Sequence, residues 1–389
     1  MTRITADWIG APGSQAILDL LTRGGHQGWF VGGCVRDGLL GRPVSDIDVA
    51  TDARPQRVMA LAADAGLRAL PTGVDHGTVT VISGTPHEVT TFRRDVATDG
   101  RRAVVAFSTD IRDDAARRDF TVNALYADAG GQVADPLGTG LADLHARRIR
   151  FIGDAADRLA EDTLRLLRFF RFTAAYGDPE LGVDAPGLAA AAGAVGRLAA
   201  LSRERVGAEM RRLLDIADPF AVLDAMAEIG ALAAVLPGAV PGPLPALLAL
   251  ERRWHVPPRW LRRLAALWPD DASAALRLSR AEARDLAAML AGVRDRILPH
   301  EIAQAQGTAI AEDVALLTAA RGADLPANWQ EAIAAAAAAV FPVSAQDLLP
   351  RYGQGPELGA ALADLRRAWI DSRFALDRAA LLRLDAGER

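Results

Sequence analysis

Short runs in which apolar and polar residues alternate fill the first third of the chain. Three of them, VSDIDVA, GTVTVIS and HEVTTF, lie between residues 44 and 92, are rich in Val, Ile and Thr, and are separated by Gly and Pro. This composition is typical of β-strands, and a shorter apolar run at residues 29–31 predicts another. Residues 14–22 and 54–66 show helical spacing instead, so we predict a head of mixed strands and helices.

The pattern changes after the segment DPLG, residues 135–138. Beyond it, segments rich in Ala, Leu and Arg have helical spacing and almost no strand pattern. We therefore predict an α+β fold in three domains. They are a head with a small mixed sheet at residues 1–139, a helical neck at 140–222, and a helical body and tail at 223–389. Polar residues 95–112, interrupted by glycine, are predicted to form a flexible loop.

Composition narrows the functional classes. The 389 residues are 50% hydrophobic, which is enough for two or three domains. A single cysteine excludes an internal disulfide framework and a cysteine-rich zinc site. No apolar run reaches the roughly 18 residues of a membrane span, and no secretory signal is recognised, so a cytoplasmic location is expected. The net charge of −5 argues against a general nucleic-acid coat but leaves local RNA binding open.

Two motifs of the head suggest phosphate and metal chemistry. Gly32 and Gly33 follow a predicted strand and precede a predicted helix, where glycines allow a tight turn whose N–H groups can approach a phosphate. Asp46 and Asp48 lie two apart in a predicted strand, with both carboxylates on one face and Ile47 on the buried face. Such a pair suits Mg²⁺. Each motif alone also fits a structural turn or a polar strand edge, but together they favour a nucleotide site.

Two further motifs add a carboxylate and two cations. Glu88 lies in the strand run HEVTTF, and a third carboxylate beside a metal pair is the usual arrangement for two-metal phosphoryl transfer. A glutamate that faces water from an edge strand is the alternative. Arg117 and Arg118 are adjacent in ARRDFTVNALY, residues 116–126. Their planar guanidiniums can bind a phosphate through two hydrogen bonds, although the pair taken alone fits a solvated charge pair better.

The segment EDTLRLLRFFRF, residues 161–172, is predicted to form one helix with a polar and an apolar face. At the helical angle per residue, four polar residues fall within an arc of about 120°: Glu161, Asp162, Arg165 and Arg168. A carboxylate beside an arginine offers an acceptor and several donors, which can match the Watson–Crick edge of a base. Ion pairs along an exposed helix face would explain the same spacing.

Taken together, these motifs resemble those of the class II nucleotidyltransferases, the family of CCA-adding enzymes and bacterial poly(A) polymerases. The motifs GGCVRD, DID, EVTTFRRD, RRDFTVNAL, DPLGTGLADL and EDTLRLLRFFRF occur in the family's order. SRERVGAEMRRLL, residues 202–214, follows them and is similar to the family's neck helix. The resemblance covers about residues 28–215 and implies a head, neck, body and tail laid out as a seahorse.

The resemblance also implies a reaction and residue roles. Asp46 and Asp48 would hold catalytic Mg²⁺, while Gly33, Arg36 and Arg118 would contact the nucleotide. Selection of CTP and ATP would fall to a set of polar residues near the start of the neck: Asp162, Arg165, Arg168 and Arg171, with Glu161 beside them. The 3′-hydroxyl of tRNA would attack the α-phosphorus, release pyrophosphate and so add C, C and A.

Other functions remain open at this point. A poly(A) polymerase built on the same head is the nearest alternative, because the motifs do not separate it from a CCA-adding enzyme. A catalytically inactive RNA-binding protein is a second, and a nucleotidyltransferase acting on an antibiotic or a protein is a third. Arginines at residues 203–212 and 251–264 are candidate contacts to RNA phosphates, although they also fit ordinary amphipathic helices.

Overall fold

The first 235 residues hold the strands of the molecule. The structure, a computed structural model, describes residues 2–99, 102–268 and 272–387. The chain divides into an N-terminal unit, Met1–Val235, and a C-terminal unit, Leu236–Arg389. Within the described ranges all strands belong to the first unit and the second is helical. The predicted α+β class is therefore confirmed, while the boundaries proposed between head, neck and body stay predictions.

A seven-stranded mixed sheet forms the centre of the head, in the order β3-β4-β5-β2-β1-β8-β9. Strands β2 and β5 run parallel, and the other neighbours are antiparallel. A separate hairpin pairs β6 with β7. The strands are β1 Gly28–Val31, β2 Asp48–Thr51, β3 Arg68–Gly73, β4 Thr78–Ser83, β5 Thr85–Thr91, β6 Arg93–Asp99, β7 Arg102–Phe107, β8 Tyr126–Ala127 and β9 Val133–Ala134.

Helices cover the sheet and continue beyond it in the N-terminal unit. The predicted helices at residues 14–22 and 54–66 are confirmed as α2 and α4, and α2 buries its apolar stripe against the sheet. The helices are α1 Asp7–Gly10, α2 Pro12–Arg23, α3 Gly33–Leu39, α4 Pro55–Asp64, α5 Ile111–Ala116, α6 Gly140–His145, α7 Ala155–Glu161, α8 Leu164–Tyr176, α9 Ala185–Ala194, α10 Arg203–Leu214, α11 Phe220–Glu228 and α12 Ala231–Val235.

The prediction of a flexible loop at residues 95–112 is wrong for the part that the structure describes. Strands β6 and β7 pair there as an antiparallel ribbon, and α5 begins at Ile111; residues 100 and 101 lie outside the described ranges. The β7 segment RAVVAF is itself strand-like in composition, since Val and Phe favour strands. The strand signal was therefore present in the sequence, but the polar residues and the glycine beside it led to the prediction of a loop.

The C-terminal unit packs its helices around α18, which buries Val314 and Leu316 completely. A second apolar cluster near the end of the chain joins Trp369 to Leu348 and Leu381. None of the described helices combines the length and the apolar composition that a membrane crossing requires. The helices are α13 Leu244–Arg253, α14 Trp260–Leu267, α15 Ala272–Leu276, α16 Arg280–Arg294, α17 Pro299–Gln306, α18 Thr308–Ala319, α19 Trp329–Ala338, α20 Ala345–Tyr352, α21 Pro356–Asp371 and α22 Arg378–Ala386.

Candidate nucleotide site

Sheet topology brings the glycine turn and the aspartates together. Strands β1 and β2 are antiparallel neighbours, so the end of β1 lies next to the start of β2. The turn that follows β1 therefore lies beside Asp48, the first residue of β2. On the other side of β1, Val31 pairs with Tyr126 of β8. That pairing brings the RRDFTVNALY segment to the same edge of the head.

A cleft of about 550 Å³ opens at this edge. Asp46 and Asp48 line it, and several arginines face them, so the cleft carries both a carboxylate pair and a set of cations. The negative phosphates of a nucleoside triphosphate complement the arginines, and a divalent cation complements the carboxylates. Eight of the residues predicted to form the site line the cleft: Gly32, Gly33, Arg36, Asp46, Asp48, Arg118, Arg168 and Arg171.

The two glycines of the turn differ in what a side chain would meet there. Gly32 has φ +75° and ψ −122°, a conformation that strains a residue with a Cβ. A Cβ at Gly32 would also lie 3.3 Å from Nη1 of Arg118. Gly33 begins α3, and the nearest side-chain atom to a Cβ there, on Arg36, is 3.8 Å away. Gly32 therefore shapes the turn, whereas Gly33 borders the open cleft.

The aspartates differ from their predicted placement. Only Asp48 lies in β2. Asp46 lies in the irregular segment before it, where it is exposed and accepts a hydrogen bond from the Ser45 hydroxyl at 3.1 Å. Ile47 is only half-buried, so the predicted buried face does not extend to it. The strand begins later than the pattern indicated, because β5 pairs with β2 only from Asp48 onward.

Asp48 lies in a negative electrostatic environment. Burial raises the pKa of its carboxyl, and the charges of Glu88 and Asp46 raise it further, while Arg118 lowers it only in part. Glu88 is its register partner on the parallel strand β5, but Glu88 is exposed and does not line the cleft. A divalent cation would relieve this repulsion. In the described ranges no three acidic, histidine or cysteine side chains cluster as metal ligands, so two carboxylates with substrate phosphates are the donor set that fits.

Arg118 is held by a buried carboxylate. Its Nε (3.2 Å) and Nη2 (2.9 Å) both donate to Oδ2 of Asp114, a fully buried residue of α5. Arg117 donates to the other oxygen, Oδ1, and the Tyr126 hydroxyl donates to Oδ2 at 2.7 Å. Burial raises the pKa of Asp114, but the two guanidiniums outweigh it and lower that pKa to about 2. Asp114 therefore stays ionised and fixes both arginines.

Arg36 joins the cleft to the C-terminal end of α8. It is buried, donates from Nε and Nη2 to the Asp37 carboxylate, and donates from Nη1 to Oδ1 of Asn123 at 2.6 Å. Its Nη2 also donates to the Tyr176 hydroxyl at 2.7 Å, and the guanidinium stacks 4.0 Å from the centre of that ring. With every nitrogen engaged, Arg36 adds positive charge to the cleft in a fixed position.

Two arginines of α8, Arg168 and Arg171, also line the cleft. Arg168 donates from Nε (2.8 Å) and Nη2 (2.6 Å) to Oδ2 of the buried Asp119. Arg171 donates from Nε to the buried Glu209 of α10 at 2.6 Å. The guanidinium of Arg171 also lies 4.5 Å from the centre of the Phe172 ring. Both arginines are thus oriented by a buried acid, as Arg118 is.

The predicted single helix at residues 161–172 is interrupted. Helix α7 ends at Glu161 and α8 begins at Leu164, with Asp162 extended between them. The Asp162 carboxylate accepts the Leu164 N–H, which stabilises a new helix start rather than a continued helix. Asp162 also binds Arg205 at 2.7 Å, and Arg165 binds Glu161. These residues do not line the cleft, and their part in base selection stays a prediction.

Several residues of the cleft and its support were not predicted from the sequence. Asp119 and Asn123 line the cleft and share a hydrogen bond of 2.9 Å. Their spacing of four within RRDFTVNALY was visible in the sequence. Asp114 and Glu209 gave no comparable signal, because each acts through contacts with another part of the chain. The remaining cleft residues missed include Ser45, Phe172 and Arg212.

Comparisons with known proteins agree with this geometry. Residues 28–150 match the family of the poly A polymerase head domain. A CCA-adding enzyme from Geobacillus thermodenitrificans (strain NG80-2) is 40% identical over 259 residues, 65% of this chain and 58% of that protein. Another, from Streptococcus pyogenes serotype M2 (strain MGAS10270), is 46% identical over 166 residues, 41% of this chain and 40% of that protein. The chain thus matches about half the length of these curated relatives.

Solved structures extend the similarity to nearly the whole chain. The Bacillus stearothermophilus CCA-adding enzyme in complex with CTP has a TM-score of 0.72 and 28% identity, covering 97% of this chain and 98% of that one. The Thermotoga maritima CCA-adding enzyme complexed with tRNA has a TM-score of 0.69 and covers 100% and 99%. At 16% identity, the second likeness concerns the fold alone. The resemblance predicted from the motifs is confirmed.

Proposed function

We propose that this chain, whose residues 28–150 match the poly A polymerase head domain, is a CCA tRNA nucleotidyltransferase. It adds C, C and A to the 3′ end of tRNA from CTP and ATP and releases pyrophosphate. The observation that carries this proposal is the cleft in which the glycine turn, the Asp46–Asp48 pair and the α8 arginines meet. The similarity to CCA-adding enzymes, one of them in complex with CTP, favours this reaction over poly(A) addition.

Asp46 and Asp48 are the proposed ligands of catalytic Mg²⁺. Bound there, Mg²⁺ would lower the pKa of the RNA 3′-hydroxyl and offset the charge on the phosphates. Glu88 lies opposite Asp48 in the β2–β5 register and raises its pKa. We therefore assign Glu88 the role of a third carboxylate that strengthens the negative field at the pair, consistent with its position outside the cleft wall.

The triphosphate is proposed to lie between the glycine turn and the arginines. As the first residue of α3, Gly33 has an N–H without a partner inside the helix, and this N–H can donate to a phosphate oxygen. Arg118 keeps Nη1 free of Asp114, and Arg36 adds a fixed positive charge. These groups meet the phosphate charge where it develops during transfer.

Base selection is proposed to depend on polar groups held in place by ion pairs. Arg168 and Arg171 line the cleft directly. Asp162 and Arg165 precede these two arginines in the sequence. Asp162 is held by an ion pair with Arg205, and Arg165 by an ion pair with Glu161. Polar groups fixed before the nucleotide arrives reject a mismatched base, because a mismatch leaves them unpaired.

The decisive experiment supplies tRNA that lacks its terminal CCA with CTP, ATP or both. The expected product carries two C and then one A, after which addition stops. Long A tracts made without CTP would instead identify a poly(A) polymerase. If the folded wild-type protein binds tRNA but incorporates nothing with Mg²⁺ present, it is a binding protein.

Asp46→Asn is the matched catalytic variant. Asp46 is exposed and its one hydrogen bond in the described structure comes from Ser45, so stability should change by less than about 0.5 kcal/mol. Loss of a metal ligand should lower incorporation by about 100-fold or more while tRNA binding persists. Full incorporation by this variant would remove the carboxylate pair from the mechanism.

A further inference from the structure

Two buried aspartates of one short segment each hold an arginine that lines the cleft. Asp114 binds Arg118, and Asp119 binds Arg168. Asp119 itself reaches the cleft wall, but Asp114 does not. Asp114 is fully buried within α5 and can act on a ligand only through its partners.

Every oxygen lone pair of Asp114 has a donor. Oδ1 accepts from Nε and Nη2 of Arg117, and Oδ2 accepts from Nε and Nη2 of Arg118 and from the Tyr126 hydroxyl. Such a carboxylate has a single favourable orientation. It engages one edge of the Arg118 guanidinium and thereby fixes the plane of the whole group.

The other edge of Arg118 is directed at the glycine turn. Its Nη1 lies 3.3 Å from the place that a Cβ on Gly32 would occupy. None of the hydrogen bonds found within the described ranges involves Nη1. Arg118 therefore presents one nitrogen with free donors at the cleft, while its remaining nitrogens are anchored beneath the surface.

We propose that Asp114 is the positioning residue for Arg118, and that it fixes Nη1 for contact with the phosphates of an incoming nucleoside triphosphate. The inference rests on the proposed function of the cleft. It predicts that loss of Asp114 acts on the triphosphate selectively. A nucleoside monophosphate keeps the base, the ribose and one phosphate but lacks the β- and γ-phosphates, which carry most of the negative charge that Arg118 would meet.

The test measures binding of CTP and of CMP by titration calorimetry in the presence of Mg²⁺. Asp114→Asn keeps the side-chain volume and removes the charge. The expected result is a loss of CTP affinity of about 10- to 100-fold, the range for a hydrogen bond to a charged group, with CMP affinity nearly unchanged. Equal losses for CTP and CMP would overturn the proposal.

A double-mutant cycle with Arg118→Ala separates positioning from an independent effect. If Asp114 acts through Arg118, adding Asp114→Asn to Arg118→Ala causes no further loss of CTP affinity. Additive losses would overturn the proposal.

Tyr126→Phe removes a single hydrogen-bond donor to Asp114 and replaces Asp114→Asn in the binding test if that variant fails to fold. It should weaken CTP binding by a smaller factor than Asp114→Asn does, and CMP binding should again change little. A Tyr126→Phe variant that binds CTP and CMP as the wild type does would contradict the inference.

Asp313→Asn is the matched control for lost stability. Asp313 is equally buried and also binds two arginines, Arg259 and Arg262, but it belongs to the C-terminal unit. It should lower the melting temperature without a selective loss of CTP. If Asp313→Asn also lowers CTP affinity without lowering CMP affinity, the effect is due to destabilisation and the proposal is overturned.

These measurements also separate the inference from the proposed function. A folded wild-type protein that binds no CTP fails the proposed function itself. A wild-type protein that binds CTP through Arg118, with Asp114→Asn unchanged, fails the inference alone.

Discussion

At the scale of single residues, the cleft is built from arginines that each pair with an acid. Arg118 binds Asp114, Arg168 binds Asp119, and Arg171 binds Glu209. A guanidinium can give one edge to a buried carboxylate and keep another for a ligand, which the compact ammonium of lysine does less well. The chain contains no lysine, so every positive group in this cleft can be anchored in this way. Anchoring before binding reduces the entropy lost when a nucleotide arrives.

The anchoring of Arg118 has a pH dependence that can be measured. The pKa of Asp114 is about 2 in the folded protein, below its usual value of 3.8. Its ionised form therefore stabilises the fold above pH 4, and this stabilisation is lost as the pH falls towards 2. The difference in unfolding free energy between wild type and Asp114→Asn should shrink by about 2 kcal/mol across that range. Urea unfolding at several pH values measures it; a difference that stays constant from pH 6 to pH 2.5 would contradict the depressed pKa.

The cleft residues that could be predicted from the sequence are those that belong to short motifs. Gly32, Gly33, Asp46 and Asp48 line the cleft as expected, because neighbouring strands carry them to one edge of the sheet. Asp114 could not be found in this way. Its importance depends on Tyr126 and on burial in the folded head, neither of which leaves a periodic pattern in the sequence.

At the scale of elements, the structure differs from expectation at one helix and at one predicted loop. Asp162 accepts the Leu164 N–H and so divides one predicted helix into α7 and α8. The β6–β7 ribbon forms where a loop was predicted. Hydrophobic spacing does not detect the first difference, because a helix cap is satisfied by hydrogen bonds rather than by apolar burial. The second difference was detectable, since the β7 segment RAVVAF has the composition of a strand. Helices α2 and α4, whose buried faces follow that spacing, were predicted.

The turn between β1 and α3 separates a structural glycine from a functional one. Gly32→Ala should cost about 1–3 kcal/mol, because φ is +75° and Arg118 is close. Gly33→Ala should keep or slightly raise stability, since alanine suits a helix better and finds room there. Both should weaken CTP binding: the first distorts the turn, and the second places a methyl group at the proposed phosphate site. Thermal unfolding and CTP titration check the two effects.

Gly41→Ala is the control that introduces backbone strain at a position outside the cleft. Gly41 has φ +64°, nothing within 4 Å of an added Cβ, and no place in the cleft wall. It should cost about 1–2 kcal/mol and leave CTP affinity unchanged. If Gly33→Ala also leaves CTP affinity unchanged, the phosphates do not approach this turn.

At the scale of the whole molecule, arginines of the C-terminal unit fall into two groups, buried and exposed. In the C-terminal unit, Arg262 and Arg263 were candidate contacts to RNA phosphates. The structure buries both, and they bind the buried Glu251. That part of the expectation is wrong, because the spacing of α14 turns these residues inward. Arg252 and Arg253, at the end of α13, are exposed and remain candidates.

A pair of variants separates these two uses of arginine. Arg263→Gln leaves Glu251 with one fewer cation in a buried site, which should cost about 3–5 kcal/mol of stability. The salt dependence of tRNA affinity should not change, because a buried guanidinium displaces no counterion from RNA. Arg253→Gln should do the reverse, with stability changed by less than about 0.5 kcal/mol. The slope of log affinity against log salt should then fall by about 1 if this residue meets a phosphate.

Filter binding of tRNA at several salt concentrations, together with thermal unfolding, measures both effects. A lower salt slope for Arg263→Gln would mean that Arg263 reaches RNA in spite of its burial, and that the C-terminal unit opens on binding. An unchanged slope for Arg253→Gln would remove the end of α13 from the RNA surface. Since salt dependence counts displaced ions, it reports contact with phosphate separately from folding. The two arginines, ten residues apart in one motif, are thus distinguished by burial alone.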